Sequence, residues 1–287
     1  MVDTHGMPTA LPTALPAGAC DCHVHIYEDG YPLAPSATFK PPHAPVSHYR
    51  EVQRALGLER VVLVQPTGYG TDNRCLLDAL AQLAHLGAAA RGVAVIAPDT
   101  SEQELRRLHA AGVRGVRYML LAGSGGVLSW ATLADHAARI APLGWHIDLQ
   151  FDGREMPQRR ALIDALPCPV VIDHIGRYVE PVAPHDPSFR ALIDVLAQPA
   201  RWVKVSAPYE TSRLGAPDYA DVAPLARALL RERPERCLWA SNWPHPNRRP
   251  VPSDAAMLEL LERWAGDAAL RNRVLADNAA RAYGFAP

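Results

Sequence analysis

The chain has 287 residues, and its 29 Lys and Arg residues almost balance its 30 Asp and Glu residues. With a net charge near zero, the protein has no overall positive electrostatic potential that would attract a polyanion. This argues against a nucleic-acid partner. A hydrophobic content of 48% is too high for a disordered chain, and no run of about 18 apolar residues exists that could span a membrane.

The five cysteines are scattered and form no CxxC pair, which indicates free thiols in a reducing cytoplasm. The N-terminal segment lacks the basic and apolar regions of a signal peptide, so we expect a cytoplasmic protein. Pro and Ala dominate residues 1–18, which predicts a flexible N-terminal arm ahead of one folded domain, 19–287. The 27 prolines must lie in loops or at element ends.

Eight short apolar runs alternate with amphipathic stretches along the chain. Most of the runs are continuous in Val, Ile and Leu, which is typical of strands covered on both faces. The predicted strands are 19–26, 60–66, 91–98, 113–120, 145–151, 169–176, 201–206 and 236–242.

Helical patterns follow most of these strands. One begins after a possible cap at Thr71-Asp72-Asn73 and ends at Gly87, and another begins at Ser101 and ends at Gly112. The other predicted helices are 131–141, 157–166, 187–198, 218–232, 253–264 and a final one at 267–284. This order predicts the α/β class, as a single-domain (β/α)8 barrel. A doubly wound sheet is the alternative, but no GxGxxG turn follows any strand.

The chemistry of such a barrel belongs at the carboxyl ends of its strands. His23 and His25 are spaced i, i+2 on the first strand, which points both imidazoles to the same side. Two buried imidazoles require a metal, an anion or hydrogen-bond partners. His174 ends the sixth strand, and Asp173 is expected to point the other way. The Pro-rich segment 27–48 is expected to lie over the mouth of the barrel.

Three motifs together resemble the amidohydrolase superfamily: the HxH at 23–25, VIDHIGR at 171–177 and SNWPHPN at 241–247. The resemblance extends over about residues 18–284, with GTDN at 70–73 and NAARAYGF at 278–285 as further matches. It is strongest to the lactone-processing branch, which includes pyrone-dicarboxylate lactonases, sugar lactonases and galactarolactone isomerases.

The resemblance also indicates what to expect of a metal. Metal-dependent members use a bridging lysine, a strand-5 histidine and a strand-8 aspartate, where this chain has Arg117, Gln150 and Asn242. A binuclear site is therefore not expected. The three histidines, His23, His25 and His174, remain able to hold one zinc ion. The resemblance to the lactone branch instead implies a metal-free pocket, so we expect no cofactor, with mononuclear zinc as the alternative.

The lactonases of this branch use the strand-8 aspartate as general base, and Asn242 cannot accept a proton. Loss of a general base costs about 10²–10⁴-fold in rate. A hydroxyl of a sugar-diacid lactone, however, can attack its own ester carbonyl, since tethering replaces activation. We therefore expect an isomerase, with His23, His25 and His174 polarising the carbonyl. His174 or His245 would move the proton, and Asn242 would hold a substrate hydroxyl.

The remaining site predictions concern substrate binding. By resemblance, Arg117 binds a carboxylate of the substrate, which its planar guanidinium suits. Thr67, Gln150, Tyr209 and Arg213 are polar residues that suit a polyhydroxylated lactone or sugar acid better than a flat aromatic dicarboxylate.

Three other functions stay open from the sequence. The chain could be a lactone hydrolase that uses another base, a zinc-dependent decarboxylase of the same superfamily, or an inactive barrel that only binds a ligand. The expected partner in each case is a small molecule, and the sequence does not determine the oligomeric state.

Overall fold

Eight parallel strands follow one another in order around the structure, which is a computed structural model describing residues 14–286. The barrel closes between the last strand and the first, where the His25 amide donates to the Trp243 carbonyl at 2.9 Å. The predicted (β/α)8 architecture is therefore confirmed. The strands are β1 (Cys20–Val24), β2 (Arg60–Val64), β3 (Ala89–Ala94), β4 (Val113–Met119), β5 (His146–Gln150), β6 (Val170–Ile172), β7 (Arg201–Ser206) and β8 (Cys237–Ala240).

Helices cover the outside of the barrel, so both faces of the strands are buried, as their continuous apolar runs require. Within residues 14–286, no helix is both long and apolar enough to cross a membrane. The helices are α1 (Val46–Leu56), α2 (Arg74–His85), α3 (Glu102–Ala110), α4 (Leu133–Ile140), α5 (Met156–Asp164), α6 (Pro187–Val195), α7 (Ala223–Glu232), α8 (Asp254–Ala265), α9 (Ala268–Asn272) and α10 (Asn278–Tyr283), with a π-helical segment (Arg273–Asp277) between the last two.

One predicted helix start is wrong, and the cap of another is formed by one of the three predicted residues. Helix α7 begins at Ala223 and not at residue 218, because Pro224 fits only the first turn of a helix. Helix α2 begins after Asn73 as predicted, but within the predicted cap it is Asp72 that accepts from the Arg74 amide, at 3.2 Å, and the Asn73 side chain makes no capping hydrogen bond. The Asn73 amide instead donates to the Val95 carbonyl at 2.8 Å and accepts from the Val95 amide at 3.0 Å. It thereby fastens the start of α2 to the end of β3.

Helix α1 was not predicted, although its buried residues Val46, Tyr49, Gln53 and Leu56 follow a helical spacing. The proline-rich segment before α1 favours irregular structure, so the sequence predicts a loop that extends to residue 48. The remaining loop does lie over the barrel mouth, where Thr38 and Phe39 line the central cavity.

The N-terminal residues can be described only in part. Residues 1–13 of the expected arm lie outside the described residues, as does residue 287 at the other end. The part that is described lies against the barrel. The Gly18 amide donates to the Glu59 carboxylate at 2.7 Å, and Arg271 donates to the Ala14 carbonyl at 3.2 Å.

Candidate active site

A cavity of about 250 Å³ opens at the carboxyl ends of the strands, where the chemistry of this fold is expected. Side chains from seven different strand ends or following loops meet in its wall, although they are far apart in the chain. The residues from the sequence analysis that line it are His25, Thr67, Arg117, Gln150, His174 and Asn242.

Three imidazoles form a cluster at the base of this cavity. Nε2 of His23 lies 3.2 Å from Nε2 of His25, and the ring centres of His23 and His174 are 4.8 Å apart. Burial lowers the pKa of each of these histidines, that of His174 to about 4. The cluster is therefore neutral at pH 7, which places lone pairs and N–H donors in the site without adding charge.

Two cavity residues hold left-handed backbone angles, which are uncommon for residues other than glycine. His174 has a φ of 49° and Asn242 a φ of 63°, and such strain is concentrated at functional sites. Strand β6 ends at Ile172, so His174 lies in a turn and not on the strand. Strand alternation therefore does not apply there, and the expectation that Asp173 points away from His174 is wrong. Donor atoms of His23, Asp173 and His174 lie within 4.8 Å of one another.

A buried charge cluster, which sequence reasoning did not assign to the site, lies directly below the histidines. The Lys204 ammonium is 2.6 Å from Oδ2 of Asp148 and 2.9 Å from Oδ1 of Asp173, and all three side chains are fully buried. Burial alone would lower the pKa of Lys204, but the two carboxylates raise it above its usual value. Charged residues within the apolar runs of β5 and β7 were the signal for this cluster.

The Lys204 ammonium also reaches the histidine cluster. Its Nζ lies 2.9 Å from Nδ1 of His23. Burial raises the pKa of Asp173, but Lys204 and His23 more than offset it and hold that pKa well below the usual range. The base of the cavity therefore contains a fixed cation and a fixed anion next to one imidazole.

A second chain of hydrogen bonds determines the orientation of the Asn242 amide. The Asp254 carboxylate can only accept, so Nε2 of His245 donates to it at 2.9 Å. Nδ1 of His245 lies 2.8 Å from the Tyr209 hydroxyl, which donates to it when the proton of the imidazole is on Nε2 alone. The Tyr209 oxygen in turn accepts from Nδ2 of Asn242 at 3.0 Å. This leaves the buried Oδ1 of Asn242 without a hydrogen-bond partner among residues 14–286.

Arg117 provides a cation in the cavity wall and is held rigidly. Its guanidinium donates to the Gln65 carbonyl and to Oε1 of Gln150, both at 2.9 Å. Its Nε is buried and has no partner within the described part of the chain. A buried donor without an acceptor is costly, so this atom is suited to a ligand anion.

The opposite side of the cavity contains a charged group that the sequence analysis missed. Glu210 lies 3.0 Å from Nη2 of Arg177 and 2.8 Å from Nη2 of Arg248, and all three residues line the cavity. Burial raises the pKa of Glu210, but the two arginines more than offset this and hold it below its usual value. Arg177 belongs to the VIDHIGR motif, which was the available signal for this group.

The other residues from the sequence analysis do not line the cavity. His23 lies beneath His25, while Tyr209 and His245 lie behind Asn242 in the hydrogen-bonded chain. Arg213 is 65% exposed and pairs with Glu180 at 3.2 Å, outside the cavity wall. The structure therefore does not bring Arg213 to the site.

The arrangement of donors does not fit a metal ion. A neutral imidazole that binds a metal through Nε2 carries its proton on Nδ1, whereas Nδ1 of His23 lies closer to the Lys204 ammonium, at 2.9 Å, than to the Asp173 carboxylate that could accept this proton, at 3.2 Å. The Asp173 carboxylate is already paired with Lys204. Asn242 offers only a neutral oxygen where metal-dependent members would have a carboxylate.

Comparisons with known proteins agree with this geometry. The amidohydrolase family profile matches residues 20–285. A 2-pyrone-4,6-dicarboxylate hydrolase from Comamonas testosteroni is 34% identical, over 98% of this chain and 95% of its own. A D-galactarolactone isomerase from Agrobacterium fabrum (strain C58) is also 34% identical, over 97% and 95%. An apo crystal structure from Agrobacterium tumefaciens superposes with a TM-score of 0.88, at 32% identity, covering 96% of this chain and 98% of that one.

Proposed function

The chain belongs to the amidohydrolase family, and we propose that within this family it is an isomerase that interconverts six- and five-membered lactones of a sugar diacid. The family relatives with curated names act on lactones, either as hydrolases or as an isomerase. The proposal for this chain therefore concerns which of these two reactions its own residues support.

The observation that carries the proposal is Asn242, together with its hydrogen-bonded partners. The chain from Asp254 through His245 and Tyr209 ends on a lone pair of the Tyr209 oxygen, which requires an N–H donor at position 242. With the Tyr209 proton donated to His245, an amide meets this requirement and a carboxylate does not. The surroundings of Asn242 are therefore matched to an amide that positions a hydroxyl, and not to a base that activates water.

The reaction needs no activated water. A substrate hydroxyl oxygen adds to the lactone carbonyl carbon and gives up its proton. The tetrahedral intermediate then breaks the bond between that carbon and the ring oxygen, which takes up a proton. The ring contracts from six members to five, and no water is consumed. Because the nucleophile is tethered, its high effective concentration replaces activation by a base.

The cavity supplies the groups that this step requires. The Oδ1 atom of Asn242 is available to accept from the attacking hydroxyl. The unpaired Nε of Arg117 is suited to the free carboxylate of the diacid. The neutral histidines provide N–H donors for the developing oxyanion and lone pairs for the proton. Thr67 and Gln150 line the same wall and suit the remaining hydroxyls.

We also propose that the reaction proceeds without a metal, because the ammonium of Lys204 occupies the position from which His23 would be oriented as a ligand. The cytoplasmic location remains a prediction, and the five buried, unpaired cysteines agree with it.

A lactone hydrolase is the second candidate, and one observation favours it. Glu210 is a carboxylate in the cavity wall and could in principle replace the missing strand-8 base. Its two arginine partners, however, stabilise its charged form and make it a weak base.

Time-resolved NMR on aldaric-acid lactones distinguishes the two reactions. An isomerase converts the six-membered ring to the five-membered ring with no net acid release, at the same rate with and without a chelator. Rapid acid release in a parallel pH-stat assay would refute isomerisation as the principal reaction. Loss of activity in chelator would refute the metal-free proposal.

A further inference from the structure

The hydrogen-bond directions within the histidine cluster can be worked out from its fixed ends. Nδ1 of His25 lies 2.7 Å from the Val64 carbonyl oxygen, which can only accept. Nδ1 therefore carries the proton of this neutral imidazole, and Nε2 has the lone pair. Since His25 lines the cavity, it presents an acceptor there and not a donor.

The same reasoning extends to His23. Its Nε2 lies 3.2 Å from Nε2 of His25, so one of the two atoms must be the donor. Because His25 has only a lone pair at that position, the proton lies on Nε2 of His23. Nδ1 of a neutral His23 must then accept a hydrogen bond.

Two groups compete for Nδ1 of His23. Asp173, at 3.2 Å, would accept a hydrogen bond from Nδ1 of His23. Lys204, at 2.9 Å, would donate a hydrogen bond to the same atom. The Lys204 ammonium has three protons, and it has three acceptors within 2.9 Å: Asp148, Asp173 and His23. Neither oxygen of Asp173 has a partner in hydrogen-bond geometry within residues 14–286, whereas Lys204 is within hydrogen-bond geometry of Nδ1 of His23, so the contacts favour donation by Lys204.

We propose that Lys204 is a positioning residue that fixes His23 as the Nε2–H tautomer, so that His23 and His25 present a proton donor and a proton acceptor side by side. Lys204 does not touch the substrate cavity, since its side chain is fully buried beneath the histidines. It acts through His23, in the way that a buried partner sets the tautomer of a catalytic histidine in other enzymes.

This arrangement suits the proposed ring interconversion, on which its catalytic use rests. His25, which lines the cavity, is placed to take the proton of the attacking hydroxyl on its unprotonated Nε2, and His23 acts from beneath it through the hydrogen bond that orients this imidazole. His25 then returns this proton to the departing ring oxygen, so the step is balanced.

The tautomers can be measured directly by long-range ¹H–¹⁵N correlation NMR of the ligand-free protein. We expect the proton on Nε2 in His23 and on Nδ1 in His25, with the two signals assigned from His23→Gln and His25→Gln spectra. A proton on Nδ1 of His23 in the wild-type protein would overturn the proposal. This measurement needs no substrate, so it stands or fails independently of the isomerase reaction.

The variant that tests the role of Lys204 is Lys204→Met/Asp148→Asn, which removes one positive and one negative charge together. We expect His23 to move its proton to Nδ1 and donate to Asp173, while His25 is unchanged. The kcat should fall by about 10²-fold or more, as for other enzymes with a misplaced histidine tautomer, with KM changed little. An unchanged His23 tautomer with wild-type kcat would refute the positioning role.

A matched control separates this effect from the loss of a buried ion pair. Arg271 is also buried and pairs with Glu262 at 2.7 Å, outside the barrel. The variant Arg271→Met/Glu262→Gln should lower the stability of the fold but leave both histidine tautomers and kcat unchanged. A comparable loss of kcat in this control would assign the Lys204 effect to stability alone.

Discussion

Replacing Asn242 with Asp should give the protein hydrolytic activity that it otherwise lacks. The change substitutes an oxygen for the amide nitrogen that donates to Tyr209 at 3.0 Å, with almost no change in volume. The new carboxylate would lie where a lactone hydrolase has its general base. Water could then be activated in the cavity, and a fraction of each lactone would be hydrolysed and not isomerised.

The size of this effect follows from two opposing contributions. A correctly placed base accelerates the attack of water by about 10²–10⁴-fold. The carboxylate would, however, face a lone pair of Tyr209, because the Tyr209 proton is committed to His245. Leaving one buried group unsatisfied costs about 1–3 kcal/mol, which raises the pKa of the new Asp by about one to two units. The variant should therefore hydrolyse at least about 10²-fold faster than wild type at pH 8, with less gain at pH 6.

The assay combines a pH-stat with NMR on the same lactone, so that acid release and ring interconversion are measured together. Asn242→Ala is the control, since it removes the amide without adding a base and should slow isomerisation without producing acid. No increase in acid release for Asn242→Asp would contradict the role assigned to Asn242. Equal acid release by the wild-type protein would contradict it as well.

Four further predictions follow from the site. Burial lowers the pKa of His174 to about 4, so protonation of His174 should reduce kcat/KM only as the pH approaches 4. An inflection near pH 6.5 that persists when Asp148, whose pKa burial raises to about 7, is replaced by Asn would contradict a buried, neutral cluster. Because the pKa of His174 is lowered in the fold, the unfolded chain binds more protons than the fold between pH 6.5 and 4, so the contribution of His174 to stability is lost as the pH falls through this range, which urea unfolding would measure. Arg117→Met should raise KM for a carboxylate-bearing lactone by about 10²-fold, since a buried charge pair is worth about 2–5 kcal/mol, and an unchanged KM would exclude Arg117 as the carboxylate ligand. Arg213→Ala should change kcat/KM by less than about twofold, because Arg213 is exposed and paired only with Glu180.

Much of the site could be predicted because a barrel gathers its strand ends at one mouth. The strand assignment alone predicts that His25, Arg117 and Asn242 lie close together. They are far apart in the sequence, but each lies at or just after the carboxyl end of a strand, β1, β4 and β8. Arg213 shows the limit of this reasoning, since it lies in a long loop after β7 and no periodicity fixes the direction of such a loop.

The errors also have local physical causes. His174 was assigned to a strand because VVIDHIG is apolar, whereas the chain turns at His174 into left-handed angles that no pattern of apolar residues encodes. The same turn brings Asp173 towards Lys204, against the alternation expected of a strand. Helix α1 was missed because the prolines before it obscured a helical spacing that the sequence does contain.

The sequence by itself determined the fold of this protein and the residue types in its site. The spacing of apolar residues that identifies a strand or a helix is a local property of the sequence. Eight strands that alternate with helices are compatible with few architectures other than a closed barrel. Only the tertiary structure decided which polar groups meet and in which direction their protons point. Lys204 and His23 are 181 positions apart, so no local pattern relates them. The direction of each series of hydrogen bonds is set by a group that can only accept. This group is the Val64 carbonyl for His25 and the Asp254 carboxylate for His245. These groups contact the histidines only when the barrel closes.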